Sequence, residues 1–250
     1  MLVISRTSFL FIFIFCSRLL SQSDRYKFYD AEYLNINNIT IHINNIGSLH
    51  DDYGNAFWDY KVYYPIIVYD QGIWFVGKID DEPRVAFAQW NTTYSPGPII
   101  NGTAALLGPI EDSLKYRVYK ITKGDNPADN LDLFDWPHDL GAPVDAENNP
   151  ILYGDQTLWT IYNACDSTNR IIKNWQRGDE YMTPLPIEIQ QISYALNDDQ
   201  KDTVFKNVVF FEWTIINRGE KQIDSAYIGL WSDIDFEDAY NRPAIDTVTS

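Results

Sequence analysis

The chain has few cysteines and few basic residues, and each shortage excludes a class of protein. Its two cysteines are Cys16 and Cys165. Cys16 lies in an N-terminal segment that we expect to be removed, so no internal disulfide is available and the fold must rely on its core. Lys and Arg number 19 against 35 Asp and Glu, which gives a formal net charge of −16. Such a surface repels phosphate backbones, and we predict no nucleic-acid partner.

The chain also lacks a recognisable catalytic pattern. Its three histidines form no HExxH-type pair, and nothing resembles Gly-x-Ser-x-Gly. Cys165 has no basic neighbour in the sequence to lower its pKa, which favours an incidental thiol over a nucleophile. Paired carboxylates for glycosidase chemistry carry no signal among so many acids. We therefore predict no catalytic residue from the sequence.

One segment imitates a nucleotide-binding motif. Residues 72–78 (Gly-Ile-Trp-Phe-Val-Gly-Lys) match the spacing of a phosphate-binding loop as far as Lys78. That loop needs flexible backbone amides and a Ser or Thr after the lysine, whereas here the middle is bulky and Ile79 follows. The segment is typical of a strand, and we predict no bound cofactor of this kind.

No hydrophobic run is long enough to cross a bilayer, which takes about 20 residues. Instead, residues 1–22 combine a short basic start, an apolar run over 9–16 and a small polar exit. This is the three-part build of a cleavable signal peptide. We therefore predict a protein without a transmembrane segment that is secreted or held at the cell surface.

Helical periodicity is scarce, and runs of β-branched and aromatic residues dominate the remainder. We predict an all-β fold of antiparallel β-sandwich sheets with long loops. Candidate strands cover residues 33–44, 60–69, 73–79, 84–89, 115–121, 157–162, 184–196, 204–217 and 223–231. Two gaps, 91–112 and 124–154, are too long for hairpin turns and should be functional or ordered around something.

We divide the mature chain into a β-rich region over 23–183 and a β-meander over 184–250, as either one domain or two. In the meander, Phe211, Trp213 and Ile215 should share one face, and residues 217–221 should close an antiparallel hairpin. A bulge at residues 190–191 would restore a single buried face to the strand before it.

An acidic cluster follows the last predicted strand, and it is the one candidate metal site. Several hard oxygen ligands on a short loop suit calcium, although the glycine and terminal glutamate of an EF-hand are missing. The alternative is a solvated acidic loop. The candidate calcium ligands are Asp233, Asp235, Asp238 and Asp246.

Aromatic residues supply a second candidate site, because an aromatic ring stacks on the apolar face of a pyranose. The same residues also fill the space between sheets, and we favour that core role. The residues concerned are Trp58, Tyr60, Tyr63, Tyr64, Trp74, Trp90, Trp136, Trp159 and Trp175.

Several segments together resemble a known group of proteins. They are residues 72–78, 115–121, 136–137, 141–145, 154–159, 184–191 and 224–235. The set is similar to the N-terminal region of large secreted proteins of the Bacteroidetes and Ignavibacteria, which often end in a type IX secretion sorting domain, sometimes after fibronectin type III-like modules. The resemblance implies a surface protein, of which this chain would be a truncated part.

Taken together, these features predict a non-catalytic β-sandwich module of a secreted or cell-surface bacterial protein. The alternative is a secreted hydrolase or a carbohydrate-binding accessory module. A glycan or another surface protein is the expected partner in either case.

Overall fold

The computed structural model describes the chain in several stretches. They are residues 29–49, 56–58, 66–89, 92–105, 114–168, 170–172, 179–181, 183–197 and 203–234. The predicted signal peptide over 1–22 lies outside them. Within the described stretches, no helix has the length and apolar character that crossing a membrane requires.

Strands dominate the described residues, which confirms the predicted all-β class. The strands are β1 (Ala31–Leu34), β2 (Ile39–Asn44), β3 (Ala56–Trp58), β4 (Ile66–Ile79), β5 (Glu82–Phe87), β6 (Ser95–Pro96), β7 (Ile99–Ile100), β8 (Thr103–Ala104), β9 (Tyr119–Thr122), β10 (Gln156–Asn163), β11 (Arg170–Ile172), β12 (Asp179–Tyr181), β13 (Ile187–Ala195), β14 (Val209–Asn217) and β15 (Asp224–Ile234). The helical segments include α1 (Leu131–Phe134) and the 3₁₀ turns His138–Leu140 and Thr203–Asn207.

Two antiparallel sheets form the body. The first has the order β1-β2-β3-β4-β15, with β5 also paired to β4, and the second has the order β14-β13-β10-β6, with β9 also paired to β10. Two small ribbons, β7-β8 and β11-β12, complete the pairing of the described strands. Strands from both sides of residue 183 share each main sheet.

The longest strand, β4, joins two segments that we predicted as separate strands. It runs for 14 residues through Asp70, Gln71 and Gly72. Asp80 and Asp81 then form a two-residue turn with φ values of 54° and 63°, the left-handed pair that a tight hairpin into β5 requires. Conversely, the predicted strand 33–44 divides at residues 35–38 into β1 and β2.

The core lies between the two sheets. One cluster joins Ile73 and Phe75 of β4 to Tyr162 of β10 and to Ile187 and Ile189 of β13. A second cluster joins buried residues of β1 and β2 to the far end of the second sheet, and its members include Leu34, Ile41, Ile43, Leu158 and Ala195. The two sheets therefore pack as a sandwich, as predicted.

The long loop 124–154 covers the outer face of the second sheet. Trp136 and Ala142 of this loop pack with Tyr119, Trp159 and Ile192 in a third apolar cluster. The loop is ordered, as predicted, and it forms a third layer. Strands β10 and β13 of the second sheet are consequently buried on both faces.

This burial corrects the bulge predicted at residues 190–191. Strand β13 pairs in unbroken register with β10 and β14 along its whole length. Ile187 and Ile189 face the first sheet, whereas Ile192 packs in the cluster under the loop. The apolar residues change parity because both faces are covered, and no extra residue is inserted.

The hairpin predicted between β14 and β15 is also wrong. Strand β14 pairs with β13 in the second sheet, and β15 pairs with β4 in the first. The link leaves the second sheet where the Arg218 amide donates to the Pro186 carbonyl over 2.8 Å. It joins the first sheet where Ile223 packs against Gly77, which has no side chain to obstruct it.

The predicted face of β14 is confirmed. Trp213 and Ile215 pack against the first core cluster and Phe211 against the second, while Glu212 is exposed. The rings of Phe211 and Trp213 stack with centroids 5.4 Å apart. Alternation along a strand with one solvent face therefore gave the correct orientation.

Candidate functional site

The structure describes one of the four predicted calcium ligands. Asp233 lies at the end of β15, opposite the buried Asp70 of β4. Asp235, Asp238 and Asp246 lie outside the described residues. Among the residues described, no three His, Cys, Asp or Glu side chains are grouped so that they could hold a metal ion. The calcium site stays a prediction.

The described aromatic residues of the predicted platform lie in different parts of the fold. Trp136 and Trp159 are buried, in agreement with a core role, and Trp58 is 44% exposed. The Trp74 indole donates to the Ala88 carbonyl over 3.1 Å. Outside the described residues are Tyr60, Tyr63, Tyr64, Trp90 and Trp175.

Cys165 has the surroundings of an unreactive thiol. Its Sγ donates to the Gly102 carbonyl over 3.3 Å. Burial, followed by the nearby Asp166 carboxylate, raises the pKa of the thiol. A raised pKa reduces the thiolate fraction and so lowers the reactivity of this thiol.

A pocket of about 690 Å³ opens between the approach to β9 and the third layer. It falls within the size range of small-molecule sites. Its lining combines apolar walls with a charged and polar rim: Leu114, Lys115, Arg117, Tyr119, Leu133, Phe134, Asp135, Trp136, Pro137, His138, Asp139, Val144, Asn148 and Pro150.

Tyr119 and Trp136 form the fixed base of this pocket. The Tyr119 ring meets Trp136 edge-on, with centroids 6.2 Å apart. Its hydroxyl donates to the Lys115 carbonyl over 3.2 Å, and the Trp136 indole donates to the Pro143 carbonyl over 3.0 Å. Burial is the largest effect on Tyr119 and raises its pKa to about 12, so the phenol is neutral at physiological pH.

Arg117 stands over this base and is held from three sides. Its guanidinium carbon lies 4.0 Å from the centroid of the Tyr119 ring, a cation–π geometry. Its Nε donates to Asp132 over 2.8 Å, and its Nη2 lies 3.6 Å from Asp135. Burial alone would lower the pKa of Arg117, but the hydrogen bond with Asp132 and the adjacent charges raise it overall.

The short helix α1 positions both of these acids. The Asn130 side chain caps it by accepting from the Asp132 amide over 2.9 Å. The second oxygen of Asp132 accepts from the Lys120 amide over 3.0 Å. Both oxygens of Asp132 are thus engaged, which makes it a positioning residue and leaves Asp135 nearer the opening.

The rim presents one large exposed ring and several hydrogen-bonding groups. Phe134 is 73% exposed. His138 and Asp139 follow in the next turn, and the His138 Nδ1 lies 3.4 Å from the Trp136 carbonyl. On the opposite side, Asn148 lies in a turn held by Asp145, whose carboxylate accepts from two backbone amides. These bonds lower the pKa of Asp145.

The charges of the lining balance although the chain is strongly acidic. Lys115 and Arg117 offset Asp135 and Asp139 when His138 is neutral. Among the described residues that line the pocket, the one hydroxyl is that of Tyr119, which donates to the Lys115 carbonyl. An aromatic surface with a neutral, polar rim suits an uncharged ligand that has one apolar face.

The sequence named Trp136 but not Tyr119 or Phe134 as members of a site. One signal was present: Leu131, Leu133, Phe134 and Trp136 are apolar residues inside a loop rich in proline and acids. Apolar residues at such density in a long loop indicate that the loop packs on something. Which of them remain accessible depends on the packing itself.

No protein-family model, no curated protein and no solved structure matches this chain.

Proposed function

We propose that the chain is a non-catalytic β-sandwich module of a secreted or cell-surface bacterial protein and that its pocket over residues 114–150 binds a neutral saccharide. The observation that carries the proposal is an exposed Phe134 ring set above a charge-balanced polar rim. The signal-like residues 1–22 and the resemblance to secreted surface proteins support the location.

A saccharide fits the lining better than an ion does. A sugar ring offers an apolar face for Phe134 and hydroxyl groups for Asp135, His138, Asp139 and Asn148. Asp135 and Asp139 would repel an anionic ligand, and Lys115 and Arg117 would repel a cationic one. Arg117 is already paired with Asp132 and Asp135, so it is not available as a dedicated anion receptor.

The same geometry favours binding over catalysis. Asp132 is fully engaged with Arg117 and the Lys120 amide, and the Tyr119 hydroxyl is buried and bonded. These groups hold the pocket in shape. A secreted hydrolase remains the alternative, because Asp135 and Asp139 are carboxylates at one rim.

The test is a glycan array followed by calorimetry on the purified chain. We expect binding of a neutral glycan that Phe134→Ala weakens about tenfold, because loss of a stacked ring removes about 1.4 kcal/mol. Phe205→Ala, also at an exposed ring but outside the pocket, should leave the affinity unchanged. Equal loss in both variants, or no glycan bound, would refute the saccharide site.

The hydrolase alternative is tested with a panel of polysaccharide and peptide substrates. Turnover that is abolished by Asp135→Asn or Asp139→Asn would replace the non-catalytic proposal with catalysis at the same rim. If no substrate is hydrolysed under conditions in which the glycan binds, the result would support a binding module.

The proposed export has its own test. Deleting residues 1–21 should keep the protein inside the producing cell, since they carry the export signal. An exported protein should begin near residue 23. Recovery of the intact chain in the cytosol with residue 1 present would contradict secretion.

A further inference from the structure

Strand β15 forms an edge of the first sheet, and no other described strand pairs with its far side. It runs for 11 residues and pairs with β4 through Asp224 and residues 227–234. Large apolar side chains on it are exposed, with Tyr227 and Leu230 each 71% and Ile228 60% accessible. A long apolar edge strand of this kind is a template for pairing with another strand.

The exposed residues occupy both faces of the sheet. Ile228 and Leu230 lie opposite Phe75 and Ile73, which are buried in the core. They continue the core-facing row of β4 beyond the point where the second sheet covers it. Tyr227 lies opposite Val76 on the outer face. A covering strand must therefore supply apolar side chains on both of its own faces.

The backbone groups that face the open side can be assigned. The Ala88 amide donates to the Ile73 carbonyl, so Ile73 turns its backbone groups towards β5. In an antiparallel ladder successive residues alternate sides, so Trp74 turns towards β15 and meets Gly229. It follows that Ile228, Leu230 and Ser232 direct their amide and carbonyl groups to the open side.

We propose that this edge pairs with the same edge of a second copy of the chain, antiparallel and about a two-fold axis at Leu230. Even-numbered residues then face even-numbered ones, as their backbone directions require. Leu230 meets Leu230 of the second copy, and Ile228 meets Ser232. Each Trp231 lies opposite Gly229 of the other copy, where the glycine leaves room for the ring.

Charge along the edge permits this pairing despite the net charge of −16. Charged side chains and proline usually protect an edge strand from pairing with another strand. Residues 225–232 contain neither. In the pairing at Leu230, Asp233 lies opposite Tyr227 of the second copy, so no two carboxylates oppose each other. Since β15 has one side on which no described strand pairs, two copies close the interface and the assembly ends at a dimer.

The test is sedimentation analysis of the purified full chain over a range of concentrations. We expect a monomer–dimer equilibrium that strengthens with added salt, because salt screens the repulsion of two acidic bodies. Leu230→Lys should weaken dimerisation about tenfold or more by placing two ammonium groups opposite each other. Leu131→Lys is the matched control, since Leu131 is equally exposed, at 71%, and lies on α1.

Two further variants separate pairing from unfolding. Ser232→Pro removes an amide that faces the open side and leaves the ladder with β4, so it should abolish the dimer while the chain stays folded by circular dichroism. In a background with both Cys16→Ser and Cys165→Ser, Leu230→Cys should form an intermolecular disulfide on oxidation, whereas Leu131→Cys should not.

Three results would overturn the proposal. They are a monomer at every concentration, assemblies larger than a dimer, and equal effects of Leu230→Lys and Leu131→Lys. A chain that stays monomeric alone but captures a strand of a different protein on β15 would also replace the second copy as the occupant.

Discussion

Strands β13 and β15 both carry apolar residues on their two faces, but their surroundings are opposite. Each carries apolar residues at both odd and even positions, as in Ile189 and Ile192 of β13 and in Tyr227 and Ile228 of β15. Strand β13 lies between two strands and under a third layer, so Ile189 is completely buried. Strand β15 lies at an edge beyond the reach of the second sheet, and Ile228 is 60% exposed.

The contrast shows that apolar residues on both faces of a strand predict packing against both faces. The pattern does not indicate whether the same chain supplies the packing residues. For β13 the covers are the first sheet and the loop 124–154. For β15 the described residues supply neither. Strand β13 has a paired strand on each side, β10 and β14. The proposed second copy would likewise give β15 a second paired strand, opposite β4.

The largest expected difference between the strands is in stability. Ile189→Ala should lower the free energy of unfolding by about 2–5 kcal/mol, because it removes a fully buried side chain and leaves a cavity. Ile228→Ala should change it by less than about 0.5 kcal/mol in a Leu230→Lys background, where the proposed association is absent. Urea unfolding curves measure both.

A similar loss at both positions would break the comparison. It would mean that Ile228 is covered in the isolated monomer. The slope of each unfolding curve serves as a control, since an unchanged slope indicates that the variants expose the same surface on unfolding.

The sequence was sufficient for the class of the fold and for β14, and the reasons are local. Phe211, Trp213 and Ile215 alternate with polar residues because β14 has one solvent face. The link after β14 was mistaken for a hairpin because the same turn-forming residues also serve a crossing between sheets. Pairing of β15 with β4 depends on residues about 150 positions apart, which no local pattern encodes.

The pocket was harder to predict from the sequence than the strands, because long-range packing brings its residues together. Trp136 was foreseen as an aromatic of interest, but its partner Tyr119 lies on a strand of the second sheet. Arg117 and Asp132 come together because α1 folds back along that strand. The loop 124–154 was predicted to matter from its length. Which of its residues line the pocket depends on the face of the second sheet that the loop covers.

The link between the sheets offers a second test of the contrast. Glu188 of β13 is 1% exposed and accepts from Arg218 over 2.6 Å and 3.1 Å. Arg218→Ala should cost about 1.5–3 kcal/mol, less than for a fully buried pair because the Arg218 side chain is 44% exposed to water. Thermal or urea unfolding measures the loss.

Two variants control this result. Lys221→Ala removes an ion pair with Asp80 on the same link, but both side chains are 63% exposed, so we expect a change below about 0.5 kcal/mol. Adding Glu188→Gln to Arg218→Ala should recover part of the stability, since it removes the buried charge. No recovery would indicate that Arg218 contributes through packing alone.

The ends of the two strands provide a smaller, pH-dependent test. Past the end of β13, the Asn197 amide and Lys123 both donate to Asp155, and these bonds lower the pKa of its carboxyl from the ordinary 3.8. A lowered pKa stabilises the fold above pH 3.8, and this contribution is lost as the pH falls through the folded-state value. Asp155→Ala should therefore cost about 1 kcal/mol at neutral pH and progressively less in acid.

The comparison of wild type and variant at two pH values isolates this residue, because the other titrating groups are common to both. A stability difference that stays constant from neutral pH into acid would show that the Asp155 charge contributes nothing and that only its volume matters.

The smallest expected effect concerns the end of β15, where Asp233 begins the predicted calcium loop. Three carboxylates on a short loop repel one another until a divalent cation binds, so calcium should raise the melting temperature through Asp233. With a Kd of about 1 mM, calcium at that concentration stabilises by about 0.4 kcal/mol. Asp233→Asn should remove the rise, and Asp224→Asn, at the other end of the strand, should not. Magnesium and sodium chloride at equal ionic strength are the controls, and a rise matched by either would assign the effect to screening of the net charge.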